Sequence, residues 1–179
     1  TQERLAFIYA AARQDGVSEN VYFIESNMLD LSFSQRFDCA YCIGVLEWVP
    51  KFHDGDPWGG QREFLISIRK ALRRGGRAVV GIENRMGLKY MLGVNDDHIA
   101  MPNVAVLDSA LASERYFDAT GRVLRSFTYT LPEYYKLFQE SGFAVSKVHC
   151  AFPDYKIPSL IIDAGASTDT CILRQGTPF

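Results

Sequence analysis

Apolar residues open the chain at helical spacing, with Leu5, Ile8, Tyr9 and Ala12 on one stripe, Arg4 and Arg13 off it, and Gly16 beyond. That spacing predicts an amphipathic helix ended by the glycine. Val21 to Glu25 and Phe37 to Ile43 are rich in strand formers, and the second run is expected to be buried on both faces. From Gln61, the residues Phe64, Leu65, Ile68, Ala71 and Leu72 make one apolar face, with Arg69, Lys70, Arg73 and Arg74 near its end, where cations suit the helix dipole. Gly75-Gly76 is read as the helix stop and Ala78 to Ile82 as a third strand. Residues 85–129 have no strong period at first. Their second half, Tyr116-Phe117, then Asp118 to Gly121, then Arg122 to Phe127, reads as a hairpin. Thr130 and Glu133 form a capping box before a helix closed by Gly142, and Ala144 to Cys150 and Thr170 to Arg174 complete the strands. The order predicts a single α/β domain over 1–179, with an insertion at about 85–129 and an antiparallel strand pair at its C-terminal end.

Composition narrows the class. The 179 residues are 47% apolar and 22% charged, with net charge −2. A chain of this size buries roughly 70% of the surface its unfolded form exposes, enough to fold without disulfide or metal. The charge balance offers no basic footprint for nucleic acid. The longest apolar run, Leu5 to Ala12, is far short of the ~20 residues of a membrane span. No secretory signal opens the chain, and a cytoplasmic location is expected. Cys39, Cys42, Cys150 and Cys171 are read as buried thiols, since residues three apart on a strand point to opposite faces and no second ligand pair is near. His53-Asp54-Gly55-Asp56 is read as a loop with Asp56 capping the helix behind Pro57, and no metal is expected.

In open α/β sheets, ligands lie beyond the carboxyl ends of the strands. Those positions hold Asn27-Met28, then Gly44-Val45-Leu46-Glu47-Trp48, then Glu83-Asn84-Arg85. An Asn amide can match the edge of an adenine, and a glycine lets backbone approach a ligand closely. Equally, Asn27 can cap a turn and Gly44 can end a strand.

Phe37-Asp-Cys-Ala-Tyr-Cys-Ile-Gly-Val-Leu-Glu-Trp-Val-Pro50, followed by a helix and Leu72-Arg-Arg-Gly-Gly-Arg-Ala-Val-Val80, resembles the second half of class I S-adenosylmethionine-dependent methyltransferases. Trp48 stands where that family often has His, and Arg74 where it often has Pro. Glu83-Asn-Arg-Met-Gly-Leu-Lys-Tyr90, Gly93, Asp96-Asp97-His98, Phe152-Pro-Asp-Tyr-Lys156 and Pro158 are similar to methyltransferases of bacterial cell-surface polysaccharide clusters. The resemblance implies a Rossmann-like sheet with helices on both faces and S-adenosylmethionine as cofactor. Asn27 and Met28 would then read the adenine, Ile43, Gly44 and Val45 would line the methionine end, and Trp48 would cover it or simply anchor its helix. It also implies a glycine-rich loop and a ribose-binding acid, yet no Gly-x-Gly precedes a helix here. The chain is therefore expected to be N-terminally truncated, beginning at the helix after that acid. The Val21 strand would then pair directly with the strand at Cys39 or with a second chain, giving a homodimer or swapped assembly.

A sugar or polysaccharide-precursor hydroxyl would need a general base. His98, with the acidic neighbours Asp96 and Asp97 and with an ordinary pKa of ~6.5, is preferred over Glu83. Asn84, Arg85, Lys89, Tyr90, Asp97, Asp154 and Lys156 are candidate substrate or loop-anchoring groups, since cations can pair with the phosphates of an activated sugar. Two other classes compete: a non-catalytic methyltransferase-like binding or assembly module, and a nucleotide-dependent oxidoreductase, which also lacks its glycine fingerprint.

Overall fold

The computed structural model describes residues 2–165. Helix α1 (Gln2–Gln14) leads through 3-10 turns at Ser18–Asn20 and Met28–Asp30 into strand β1 (Phe37–Ile43). A 3-10 turn at Leu46–Lys51, helix α2 (Pro57–Ala71) and strand β2 (Leu72–Gly81) follow, then short helix α3 (Leu88–Met91), α4 (Ser109–Thr120), α5 (Leu131–Glu140), β3 (His149–Phe152) and β4 (Leu160–Asp163). The strand expected at Thr170 to Arg174 lies outside the described residues.

β1 and β2 pair in parallel through the α2 crossover, and β3 and β4 form an antiparallel pair. The α/β architecture with a C-terminal antiparallel pair thus stands. α2 starts earlier than its apolar face suggests, because Asp56 accepts from the Gly59 amide at 2.8 Å and Pro57 occupies the first turn. It ends at Ala71, before the glycines. Gly75-Gly76 lies instead inside a register jump, since β1 advances from Phe37 to Cys39 while β2 advances from Leu72 to Arg77. The excess residues bulge outward, with Gly75 at φ +80°.

Packing covers one face of the β1–β2 pair. Cys42 is buried against the cluster of Leu46, Val49, Phe64, Leu65 and Leu137, whereas Tyr41 is 75% exposed and Ile43 and Val79 are also open. The expectation that β1 is buried on both faces therefore fails among the described residues. The same alternation corrects the reading of the cysteines: Cys42 is buried, with its thiol pKa pushed up to about 12 chiefly by burial, but Cys39 is exposed and Cys150 half-buried, while Cys171 lies outside the described residues.

Three further elements differ from expectation. Val21 to Glu25 has no regular structure and carries no ladder, so it does not pair with β1. The supposed hairpin at Tyr116–Phe127 is the end of α4 followed by an irregular segment, and Gly121 is the left-handed C-cap at φ +67° rather than a hairpin turn. The strand expected at Ala144–Cys150 begins only at His149. α1 forms as read, yet of its stripe only Ala12 is buried. Residues 85–129 are not a loose appendage, because Val104, Ala112, Leu124 and Phe127 join the main core.

Candidate functional site

Gly44 ends β1 with φ +63° while its amide still reaches the Gly81 carbonyl at 2.9 Å. The positive φ turns the chain sharply into the Leu46–Lys51 turn, which buries Glu47. Beyond β2, Glu83 is buried as its carbonyl accepts from the Tyr134 hydroxyl at 3.1 Å. Gln61, fully buried on α2, donates to the Leu46 carbonyl at 2.8 Å and the Phe127 carbonyl at 3.1 Å, fixing the turn that carries Glu47.

The two carboxylates converge on His98. Its Nε2 lies 3.6 Å from Glu47 Oε1 and 3.6 Å from Glu83 Oε2, and its Nδ1 lies 3.5 Å from Asp96 Oδ1. That Asp96 oxygen also accepts from the amides of His98 and Ile99, a local turn that sets the imidazole's position. Burial alone would lower the His98 pKa. Asp96, Glu47 and Glu83 more than reverse this and push it up to about 9. Trp48 packs edge-on against the imidazole at 5.0 Å, with Lys51 over its own ring, so it braces His98.

A second network straps this cluster to the loop between β3 and β4. Lys89 is ion-paired with Asp97 and lies 2.7 Å from Asp154, Tyr90 donates to Asp97 at 2.8 Å, and Lys156 reaches Glu83 Oε1 at 3.0 Å. Burial works against both acids, but Lys89 and the other donors hold Asp97 and Asp154 below the usual carboxylate range. Tyr155 lies beneath this strap. Its hydroxyl is buried with no hydrogen-bond partner among the described residues, and burial and the nearby carboxylates raise its pKa.

The structure thus gathers Glu83, His98, Lys89, Tyr90, Asp97, Asp154 and Lys156 at the ends of β1 and β2, beside Gly44. Asn84 and Arg85 turn elsewhere: Asn84 caps its own turn by accepting from the Met86 amide at 2.9 Å, and Arg85 pairs with Glu133 at 3.0 Å. Asn27 accepts from the Leu29 amide at 3.2 Å, with Met28 exposed next to it. Ile43 is exposed and Val45 packs at the core margin. Sequence reasoning did not assign roles to Glu47, Asp96 or Tyr155. Glu47 was visible as the acid three residues past Gly44, and Tyr155 stood within the Phe152–Lys156 string.

No protein-family model and no curated protein matches the chain. Among solved structures, it superposes on a candidate O-methyltransferase of Nostoc punctiforme PCC 73102 with TM-score 0.52 and 16% identity, over 83% of this chain and 38% of that one. A S-adenosylmethionine-dependent methyltransferase of Thermotoga maritima, a candidate histamine N-methyltransferase, gives TM-score 0.46 and 17% identity over 78% of this chain and 55% of that one. The chain therefore spans less than two thirds of either structure. The Nostoc superposition shows the fold, an α/β fold shared with that structure. Among the described residues no helix is long and apolar enough to cross a membrane.

Proposed function

We propose that this chain carries the acceptor side of a S-adenosylmethionine-dependent methyltransferase, acting on a hydroxyl of a sugar or polysaccharide precursor. The carrying observation is the convergence of Glu47, Glu83 and His98 at the strand ends beside Gly44, where open α/β sheets place their ligands. The resemblance of the strings around Glu83, His98 and Asp154 supports the acceptor class.

The Gly44 turn fits the cofactor's methionine end. It presents backbone without a Cβ, and the Tyr155 hydroxyl stands 2.9 Å from where one would sit, so any side chain there would clash with the β3–β4 loop and narrow the approach to the turn. Ile43 and Val45 would flank that end, while Asn27 and Met28 would meet the adenine. The cofactor, when bound, supplies a methyl group on a sulfonium. The chain's own residues orient the acceptor and manage its proton. Glu83 and His98 are the assigned pair, since Glu83 Oε2 is buried and accepts no hydrogen bond among the described residues. Lys89, Asp97, Asp154 and Lys156 hold the loop that bounds the acceptor's space. The exposed β1 face and the α1 stripe support a second copy or a further segment packing there.

Calorimetric titration of S-adenosylmethionine, followed by transfer of a labelled methyl group to free and nucleotide-linked sugars, tests the assignment. Micromolar binding that weakens about tenfold in Asn27→Ala is expected, a ~1.4 kcal/mol effect. Absence of binding at millimolar cofactor would overturn the placing of the cofactor site on this chain and leave a binding module.

A further inference from the structure

The cluster beside Gly44 has the form of a cation site as well as of a proton-handling site. Glu47, Glu83 and His98 each offer one ligand atom, and the three atoms lie within 4.8 Å of one another. The distances from His98 Nε2 to the two carboxylates are equal at 3.6 Å. Those contacts are too long for good hydrogen bonds. A tetrahedral cation with bonds of about 2.1 Å separates its ligands by about 3.4 Å. The spacing thus matches ligands around a shared small ion better than groups bonded to each other.

Three independent features agree. The side chains of Glu47 and Glu83 are each 2% exposed, yet Glu47 Oε2 and Glu83 Oε2 have no hydrogen-bond partner among the described residues. Buried polar atoms without partners are costly, and such atoms mark where a ligand is expected. Behind the imidazole, Asp96 lies 3.5 Å from Nδ1 and is itself held by the amides of His98 and Ile99, so a fixed carboxylate stands on the side of the ring away from Nε2, where the orienting partner of a ligating His is found. Charge also points the same way. Three carboxylates (Glu47, Glu83, Asp96) face one imidazole and the Lys156 ammonium, which leaves the cluster one positive charge short even with His98 protonated. A divalent ion in place of the Nε2 proton would balance it.

The rival acidic group, Glu83 with Asp97 and Asp154, differs because the Lys89 ammonium already bridges Asp97 and Asp154, whereas Lys156 takes only Oε1 of Glu83 and leaves Oε2 facing His98.

We propose that His98 Nε2 and the carboxylates of Glu47 and Glu83 bind a divalent cation of the zinc or manganese type. Mixed nitrogen and carboxylate ligands suit such ions. The side toward Gly44 and the Tyr155 hydroxyl is left for water or for an acceptor oxygen, whose pKa a cation there would lower. That catalytic use rests on the methyl-transfer reading; the binding does not.

The test uses the full chain stripped with a chelator and titrated with Zn2+, Mn2+ and Co2+, without cofactor or acceptor. One ion per chain is expected, and bound Co2+ should show the intense visible bands of a four- or five-coordinate site. His98→Ala and Glu83→Gln should each weaken binding at least 100-fold, and Asp96→Asn about 10- to 100-fold. His53→Ala and Cys39→Ser should leave it unchanged. Far-ultraviolet dichroism separates loss of ligands from loss of fold, and His98→Gln is the second variant if His98→Ala does not fold. Substoichiometric uptake, or affinity unchanged in a folded His98 variant, overturns the proposal. Metal uptake without S-adenosylmethionine binding would instead refute the methyl-transfer reading alone.

Discussion

The hydroxyl of Tyr155 stands 2.9 Å from the point where a Cβ on Gly44 would sit. The turn after β1 and the loop between β3 and β4 are thereby closed on each other through a position that only glycine fits. Gly44→Ala meets two penalties, the left-handed φ of +63° and the contact with Tyr155. The φ alone costs ~1–2 kcal/mol. Thermal unfolding should show a lower Tm in Gly44→Ala, and partial recovery when Tyr155→Phe is added, because the second change removes the clash but not the strain. A double variant no more stable than Gly44→Ala would show that the contact is relieved in another way.

Gln61 ties the Glu47 turn to the segment at Phe127 with two buried hydrogen bonds. Gln61→Met preserves most of the volume and leaves both carbonyls without their donor. A loss of about 2 kcal/mol is expected by urea denaturation, within the usual cost of orphaned buried polar groups. Equal stability would mean that the turn finds other donors.

Glu133 sets an acid-side limit on stability. Burial would raise its pKa, but the Thr130 hydroxyl and amide at 2.6 and 2.8 Å, together with Arg85, outweigh that and lower it below its ordinary 4.5. A carboxyl whose pKa is lower folded than unfolded stabilises the fold above the unfolded value, and that contribution is lost as pH falls through the folded one. Melting curves from pH 6 down to about 2.5 should therefore slope less in Glu133→Gln than in the parent. The amide can still accept from Thr130 but cannot titrate against Arg85. Parallel curves would remove Glu133 from the acid response.

Lys89 holds Asp97 and Asp154 together, and so joins the insertion to the β3–β4 loop. Lys89→Met keeps the apolar stem and leaves two half-buried carboxylates facing each other. Hydrogen exchange across 153–159 should rise about tenfold while exchange in α2 stays unchanged, the pattern of a local opening. A uniform increase would indicate global destabilisation instead.

Much of the frame was legible because its signals are local. The seven-residue run of β1, the apolar face of α2 and the Thr130–Glu133 box of α5 each specify their element without help from distant residues. The errors arose where one residue serves two geometries. Gly121 satisfies a hairpin turn and a helix C-cap equally, and the short side chains of α4 give too weak a stripe to choose between them. Val21 to Glu25 has strand composition, but a ladder needs a partner that composition does not supply. At the site, Glu83, His98 and the Lys89 network came from recognisable strings. For Arg85, read as a substrate or loop-anchoring group, the sequence could not name the partner, because Glu133 lies 48 positions away. Glu47 and Tyr155 were passed over for a related reason: each looks ordinary in its own segment, and its significance exists only after the chain has brought the segments together.

The bond from Lys156 to Glu83 joins groups 73 positions apart. A chain in which only β1, α2 and β2 have formed therefore holds half of the site and none of its closure. A proteolytic nick between β3 and β4 would leave the hydrophobic core largely in place while releasing Glu83, Tyr155 and Gly44 from one another. The Lys156–Glu83 contact is thus a reporter of completed folding, made only by the final closure of the chain.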